Sequence, residues 1–214
     1  MNTHEIYRHI DYTLLKPTAT YDDIWNLCKK AEEKNCASVC IPSHFVKFVR
    51  ECFPNLTICT VVGFPLGNSS TETKVAETEQ AMKDGADEID MVINIGELKN
   101  NNRWYVANEI EKVSEAMGDE GIHYGILKVI IETCYLTEKE IRTATRIVDD
   151  SSADYVKTST GFGTYGALFE DIQNMKKVIF SDTKIKASGG IRTKETMEKF
   201  LEMGCDRIGA SVLP

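Results

Sequence analysis

The sequence has no run approaching the ~18 consecutive apolar residues of a membrane-spanning helix. Its first residues, MNTHEIYRHID, are polar where a signal peptide would be apolar. Basic residues are in deficit: Lys plus Arg number 25 against 33 Asp plus Glu, a net charge of −8 over 214 residues. Nucleic acids and anionic membranes select basic patches, so neither is an expected partner. An anionic substrate such as a phosphate would have to be captured by local groups against the overall field. No CxxC pair occurs among the seven cysteines (Cys28, Cys36, Cys40, Cys52, Cys59, Cys134 and Cys205), which are odd in number and scattered. They read as reduced thiols of a cytoplasmic protein. The four histidines (His4, His9, His44 and His123) show neither HxxxH nor HxH spacing, so no metal site is expected from local pattern. No GxGxxG follows the first strand-like segment, which removes the dinucleotide fingerprint. There is no linker and no low-complexity stretch, and residues 1–214 read as a single domain.

What the sequence does contain is alternation. Hydrophobic residues make up 42% and charged residues 27%, an ordinary globular balance. Short β-branched runs at 11–14, 38–41, 57–62, 88–93, 126–132, 155–158, 185–188 and 207–210 read as strands, with helical periods between them. Ile24, Leu27, Cys28 and Ala31 form one apolar stripe, and Ile141, Ala144, Thr145 and Val148 another. Thr137 with Glu140 makes a capping box, Ser43 and Thr193 suit N-caps, and Gly85, Gly118 and Gly204 suit helix ends. Parallel neighbours need a crossover helix, so eight strands separated by helices predict a parallel sheet. Polar residues inside the strands favour its closure into a (β/α)8 TIM barrel over an open sheet. The chain stops at Ser211-Val-Leu-Pro214, so the barrel is expected without its final helix. The N-terminal turn or a partner subunit would then cover that flank.

Lys128, Lys157 and Lys186 each lie within an apolar strand, in ILKVII, DYVKTS and KIKASG. Buried lysines and aspartates are rare unless paired or functional. Side chains alternate along a strand, so inward faces would bring Asp90, Lys128, Lys157 and Lys186 to one interior. An amine attacks a carbonyl only when neutral, and burial beside a like charge favours the neutral form. A lysine pair therefore suits Schiff-base chemistry, with Asp90 moving protons. The alternative is an ion-pair network that merely fills the barrel, Asp90 with Lys128 for instance. Glycines after the sixth and seventh strands (Gly161, and Gly189 with Gly190), and the Gly209-Ala-Ser211 end of the eighth, lie where such barrels often bind phosphate. The Gly189–Gly190 pair is equally what a tight turn uses.

The segments IDYTLLKP (10–17), SVCIPSHF (38–45), VVGFPLG (61–67), GADEIDMVINIG (85–96), LKVIIETCYLT (127–137), YVKTSTGF (155–162), IKASGGIRT (185–193) and DRIGAS (206–211) together resemble the deoxyribose-phosphate aldolase family. The resemblance implies a class I aldolase with no metal or other cofactor. Such an enzyme reversibly cleaves 2-deoxy-D-ribose 5-phosphate into D-glyceraldehyde 3-phosphate and acetaldehyde, in deoxyribonucleotide breakdown. It implies Lys157 as the Schiff-base residue, Lys186 as the neighbour that tunes it, and Asp90 as the proton-transfer partner. Asp11 and Lys128 would help to bind substrate; Gly161, Gly189, Gly190 and Ser211 would hold its phosphate through backbone N–H groups. Cys40 matches a strand-end cysteine of the family. Some relatives carry a lysine where this chain has Phe162, so one phosphate-facing charge is expected to be missing. The partner implied is a small phosphosugar, with a homodimer left open. An isomerase or epimerase barrel, or a phosphosugar-binding barrel without turnover, are the other readings.

Overall fold

The computed structural model describes residues 1–119, 122–123 and 125–214. Eight strands close into a barrel: β1 (Ile10–Thr13), β2 (Ser38–Ile41), β3 (Ile58–Val62), β4 (Glu88–Val92), β5 (Ile126–Ile130), β6 (Tyr155–Lys157), β7 (Lys184–Ser188) and β8 (Arg207–Ala210). All neighbouring pairs are parallel, and β8 returns to β1 with Asp11 opposite Gly209. The helices are α1 (Thr3–Tyr7), α2 (Tyr21–Lys34), α3 (Val46–Cys52), α4 (Thr71–Asp84), α5 (Ile95–Lys99), α6 (Arg103–Glu115), α7 (Glu138–Asp149), α8 (Phe169–Lys176) and α9 (Lys194–Glu202). The structure is thus the TIM barrel that the alternation predicts, and no helix follows β8 within the 214 residues. Among the described residues no helix is long and apolar enough to cross a membrane.

Both predicted helical stripes are buried, α2 through Ile24, Leu27, Cys28 and Ala31, α7 through Ile141, Ala144, Thr145 and Val148. Thr137 and Glu140 form the expected capping box, and the Thr193 hydroxyl accepts from the Thr196 N–H. Two cap expectations fail. Ser43 is the first residue of a 3₁₀ turn capped by Pro42, and it makes no capping hydrogen bond. The helix before Gly118 already ends at Ala116, and Gly118 begins a two-residue strand instead. The side chain of His123 lies outside the described residues.

Strand parity divides the interior into two regions. Residues of one parity (Ile10, Val39, Ile58, Ile89, Leu127, Val156, Ile185, Ile208) pack outward against the helices in the main apolar core. Residues of the other parity point into the lumen, where Cys40, Cys59 and Val61 form a small apolar cluster with Leu15 and Phe64 packed against it. Val92, Ile130 and Tyr155 share that parity with the buried charged residues of the lumen. Outside the barrel, a buried ion pair ties down two loops. The Lys74 ammonium donates to Gly67 O (2.8 Å), Val92 O (2.7 Å) and Glu109 Oε1 (2.7 Å), while Glu109 Oε2 accepts the Asn94 N–H at 2.9 Å. The loop after β3 is thereby fixed, and its Phe64 ring meets Phe162 edge-on at 5.3 Å.

Candidate active site

The lumen carries three carboxylates, Asp11, Glu88 and Asp90, facing Lys128, Lys157, Lys186 and Arg207. Asp90 is fully buried on β4 and is the hub. Its Oδ2 accepts from Lys157 Nζ at 2.7 Å and from Lys186 Nζ at 2.6 Å, and its Oδ1 accepts from Lys128 Nζ at 3.0 Å. The register makes this meeting unavoidable, since Asp90 stands opposite Lys128 and Lys157 stands opposite Lys186. Lys157 and Lys186 share one oxygen, so their nitrogens can be no farther apart than those two bonds laid end to end.

The partners of the four cations differ in number. Lys186 pairs with Asp11 as well as Asp90. Lys128 also reaches Glu88 Oε2 at 2.6 Å, and Arg207 bridges Asp11 and Glu88. Among the described residues, Lys157 has Asp90 alone. Burial by itself would protonate Asp90, but the three surrounding lysines hold its carboxyl well below the usual range. Asp11 behaves likewise, with Lys186, Lys128 and Arg207 outweighing its burial. Burial disfavours the Lys186 ammonium, yet Asp11 and Asp90 overcome this and keep it charged beyond the ordinary lysine range. Lys128 is held charged in the same way, chiefly by Asp90 against its burial. Four cations thus face three carboxylates. Among the described residues Lys157 has the fewest carboxylate partners of the four, and it is the one that reaches the open space above.

That space is a cavity of about 240 Å³ at the C-terminal ends of the strands. Its walls are the segments Thr13–Lys16, Thr160–Phe162, Ser188–Arg192 and Gly209–Ser211, with Lys157 at the base. Gly161, Gly189, Gly190 and Ser211 therefore lie together with Lys157, as the sequence predicts. Gly189 adopts φ +87°, and a Cβ there would sit 2.8 Å from Gly166 Cα, so only glycine fits. Gly190 has φ +74° and faces open space. Lys186, Asp90, Asp11 and Lys128 do not line the cavity and are fully buried. Strand geometry places Asp11 and Lys128, both expected to help bind substrate, beneath Asp90, where they meet other charges. Cys40 is buried with its Sγ 4.0 Å from Asp90 Oδ2.

Two buried groupings, Cys40–Cys59–Asp90 and Asp11–Cys59–Glu88, bring metal-ligand atoms within 4.8 Å of one another. Lysine ammonium groups already meet Asp90 and Glu88 at 2.6–3.0 Å, so the protein itself supplies positive charge there.

Several contributors escaped sequence reasoning. Glu88 and Arg207 complete the buried charge set, and parity could have found them, since Glu88 shares a face with Asp90, and Arg207 with Gly209. Lys16 and Arg192 line the cavity and offer it cationic side chains, although one phosphate-facing charge was expected to be missing at Phe162. Both lie in loops, where no periodicity marks them.

The profile of the DeoC/LacD family aldolases matches residues 8–211. The chain belongs to this family. A deoxyribose-phosphate aldolase of Clostridium botulinum (strain Alaska E43) is 53% identical over 212 residues, 99% of this chain and 94% of that protein. Another, of Treponema denticola, is 47% identical over 209 residues, covering 97% of this chain and 95% of its own. Among solved structures, a deoxyribose phosphate aldolase from Aeropyrum pernix, described as tetrameric, superposes with a TM-score of 0.89 at 27% identity, over 98% of this chain and 88% of that one. As a DeoC/LacD family member, the chain sets a buried lysine cluster directly beneath its glycine-walled cavity.

Proposed function

We propose that the protein is a class I aldolase that reversibly cleaves 2-deoxy-D-ribose 5-phosphate to D-glyceraldehyde 3-phosphate and acetaldehyde, through a Schiff base on Lys157. The observation that carries this reading is the position of Lys157. It alone of the lumen lysines borders the cavity, among the described residues it has a single carboxylate partner, and it stands beside an ammonium group held charged. The names of the relatives at about half identity supply the substrate.

The neutral amine of Lys157 adds to the C1 aldehyde of the open-chain sugar. Loss of water gives an iminium, and Asp90, 2.7 Å from Nζ, is placed to move the protons. The C3 hydroxyl then loses its proton as the C2–C3 bond breaks. The bond pair flows into the iminium to form an enamine, and C3 leaves as the aldehyde of glyceraldehyde 3-phosphate. Protonation of the enamine at C2 and hydrolysis release acetaldehyde and the amine. Lys186 shares Asp90 with Lys157 and so sets its ammonium group beside the amine that must attack. Asp11 and Lys128 hold Lys186 and Asp90 in place rather than touching sugar. The phosphate rests against the backbone of Gly161, Gly189, Gly190 and Ser211, with Lys16 and Arg192 as countercharges. An acidic chain thus captures an anion through local groups.

Borohydride added with substrate should attach a two-carbon group to Lys157, and Lys157→Ala should abolish acetaldehyde release with or without a chelator. A peptide map placing the adduct solely on another lysine would overturn the assignment.

We further propose a cytoplasmic setting, which suits the seven free cysteines, and a homodimer. Support for a dimer comes from an aromatic face on α2 and α3. Tyr21 (57% exposed) meets Phe45 and Phe48 edge-on and Trp25 (44% exposed) packs tilted against Phe53, leaving apolar rings in water that a second copy would cover. Sedimentation of wild type and Trp25→Arg tests this, and a wild-type monomer at micromolar concentration refutes it.

A further inference from the structure

We propose that Glu132 is a positioning residue that sets the anion end of the cavity by clamping the backbone on either side of Gly161. The inference rests on the aldolase reading above and extends it to a residue outside the lysine cluster. Glu132 follows β5, is 1% exposed, and adopts φ 53°, ψ 67°. That left-handed conformation is disfavoured for a residue with a side chain, and it persists only where its surroundings dictate it.

What it holds is one residue of the cavity wall. Glu132 Oε1 accepts the Thr160 N–H at 3.1 Å, and Oε2 accepts the Thr160 hydroxyl. The Thr160 hydroxyl oxygen in turn accepts the Phe162 N–H at 3.0 Å. Thr160, Gly161 and Phe162 all line the cavity, so a single carboxylate fixes the segment that turns through Gly161 at φ +85°. The chain then returns directly over this carboxylate. A Cβ on Gly163 would lie 2.4 Å from Cys134 Sγ and 3.4 Å from the Glu132 carboxyl carbon. Both carboxylate oxygens are taken by Thr160, and among the described residues no ion pair to Glu132 is found.

A buried carboxylate is a costly way to fill space beside an anion site, because its charge repels the ligand. Its use is geometric. Two acceptor oxygens on one rigid group hold the N–H and the O–H of the same residue, which no apolar side chain can do. Releasing that grip loosens the Gly161 backbone, which faces phosphate, and leaves Lys157, on β6, in place.

The test compares Glu132→Ala, Glu132→Gln and Thr160→Val on 2-deoxyribose 5-phosphate and on 2-deoxyribose. Glu132→Ala should raise KM for the phosphorylated sugar about tenfold, the loss of one or two hydrogen bonds, with kcat within about twofold. Turnover of 2-deoxyribose should stay within about twofold, and Glu132→Gln, which keeps an acceptor for the Thr160 N–H, should recover most of the loss. Thr160→Val should shift KM in the same direction, and it serves as the readout should Glu132→Ala fail to fold. An equal loss on both sugars, or a loss confined to kcat, would overturn the proposal. If wild type releases no acetaldehyde from either sugar, the aldolase reading fails instead. The clamp is then read from calorimetry with inorganic phosphate: about tenfold weaker binding in Glu132→Ala supports it, and unchanged binding refutes it.

Discussion

Asp90→Asn is the perturbation on which the account of the lumen stands most exposed. Asp90 accepts hydrogen bonds from Lys157, Lys186 and Lys128, all within 3.0 Å. The substitution keeps the shape and removes the charge, so four cations face two carboxylates in a region with almost no access to water. Removing one partner of a buried ion pair costs about 3–5 kcal/mol. For a chain of this size each kcal/mol moves Tm by about 2–4 °C, so the melting temperature at pH 7 should fall by roughly 6–20 °C. The loss should diminish as pH rises. A buried ammonium without its carboxylate binds protons less readily in the folded state than in the unfolded chain, so stability increases with pH up to the ordinary lysine pKa of about 10.4. The rise should exceed that of wild type, where Lys186 and Lys128 are held charged and only groups common to both proteins, such as the buried Lys74, contribute. Acetaldehyde release should fall about 10²–10⁴-fold, the usual contribution of a positioned acid–base group. Circular-dichroism melts from pH 6 to 10 with a retro-aldol assay measure both effects. A melting temperature within about 2 °C of wild type at every pH would refute the charge-balance argument even if activity were lost.

Other expectations follow from the same geometry. Lys16→Met and Arg192→Met should each raise KM for 2-deoxyribose 5-phosphate about three- to tenfold while hardly changing 2-deoxyribose turnover, as expected of countercharges at an exposed anion site; steady-state kinetics on the two sugars decide it. Lys74→Met should destabilise by about 3–5 kcal/mol in urea titrations, because it strands the fully buried Glu109 and frees the carbonyls of Gly67 and Val92. Asp11 and Asp90 have folded pKa values below those of the unfolded chain, so their contribution is complete above about pH 5. It drains away as pH falls through the ordinary carboxylate range of about 3.9 and below. Acid titration of the melting temperature should show that decline, and Asp11→Asn should make it shallower.

The architecture was legible because its signals are local. Period-two strands, period-3.6 helices and caps at Thr137 and Thr193 appear in the order in which the barrel uses them. Parity then carried the reading from fold to site, since it puts Asp90 and the three lysines on one side of their strands without knowledge of depth. Depth is where it fell short. Nothing in the spacing says that Lys128 and Asp11 sit a layer below Lys157, since that follows from strand stagger in the closed barrel. Lys16, Arg192 and Glu132 lie in segments without repeat, brought to the cavity by the register of strands far apart in sequence. Ser43 and Gly118 mislead for a related reason: cap chemistry is permissive, and the neighbouring Pro42 and Ala116 settled where those elements start and stop.

The split between outward and lumen-facing positions has a consequence for how this sequence can change. On each strand, every second residue belongs to the apolar shell that resists unfolding, and the residues between them belong to the chamber where bonds are made. The two sets share a backbone but few contacts. Substrate preference can therefore be rewritten at Thr13 or Ser188 while Ile10 and Ile185, a few peptide units away, continue to hold the walls. The barrel behaves as two proteins interleaved residue by residue, one selected for endurance and one free to search for chemistry.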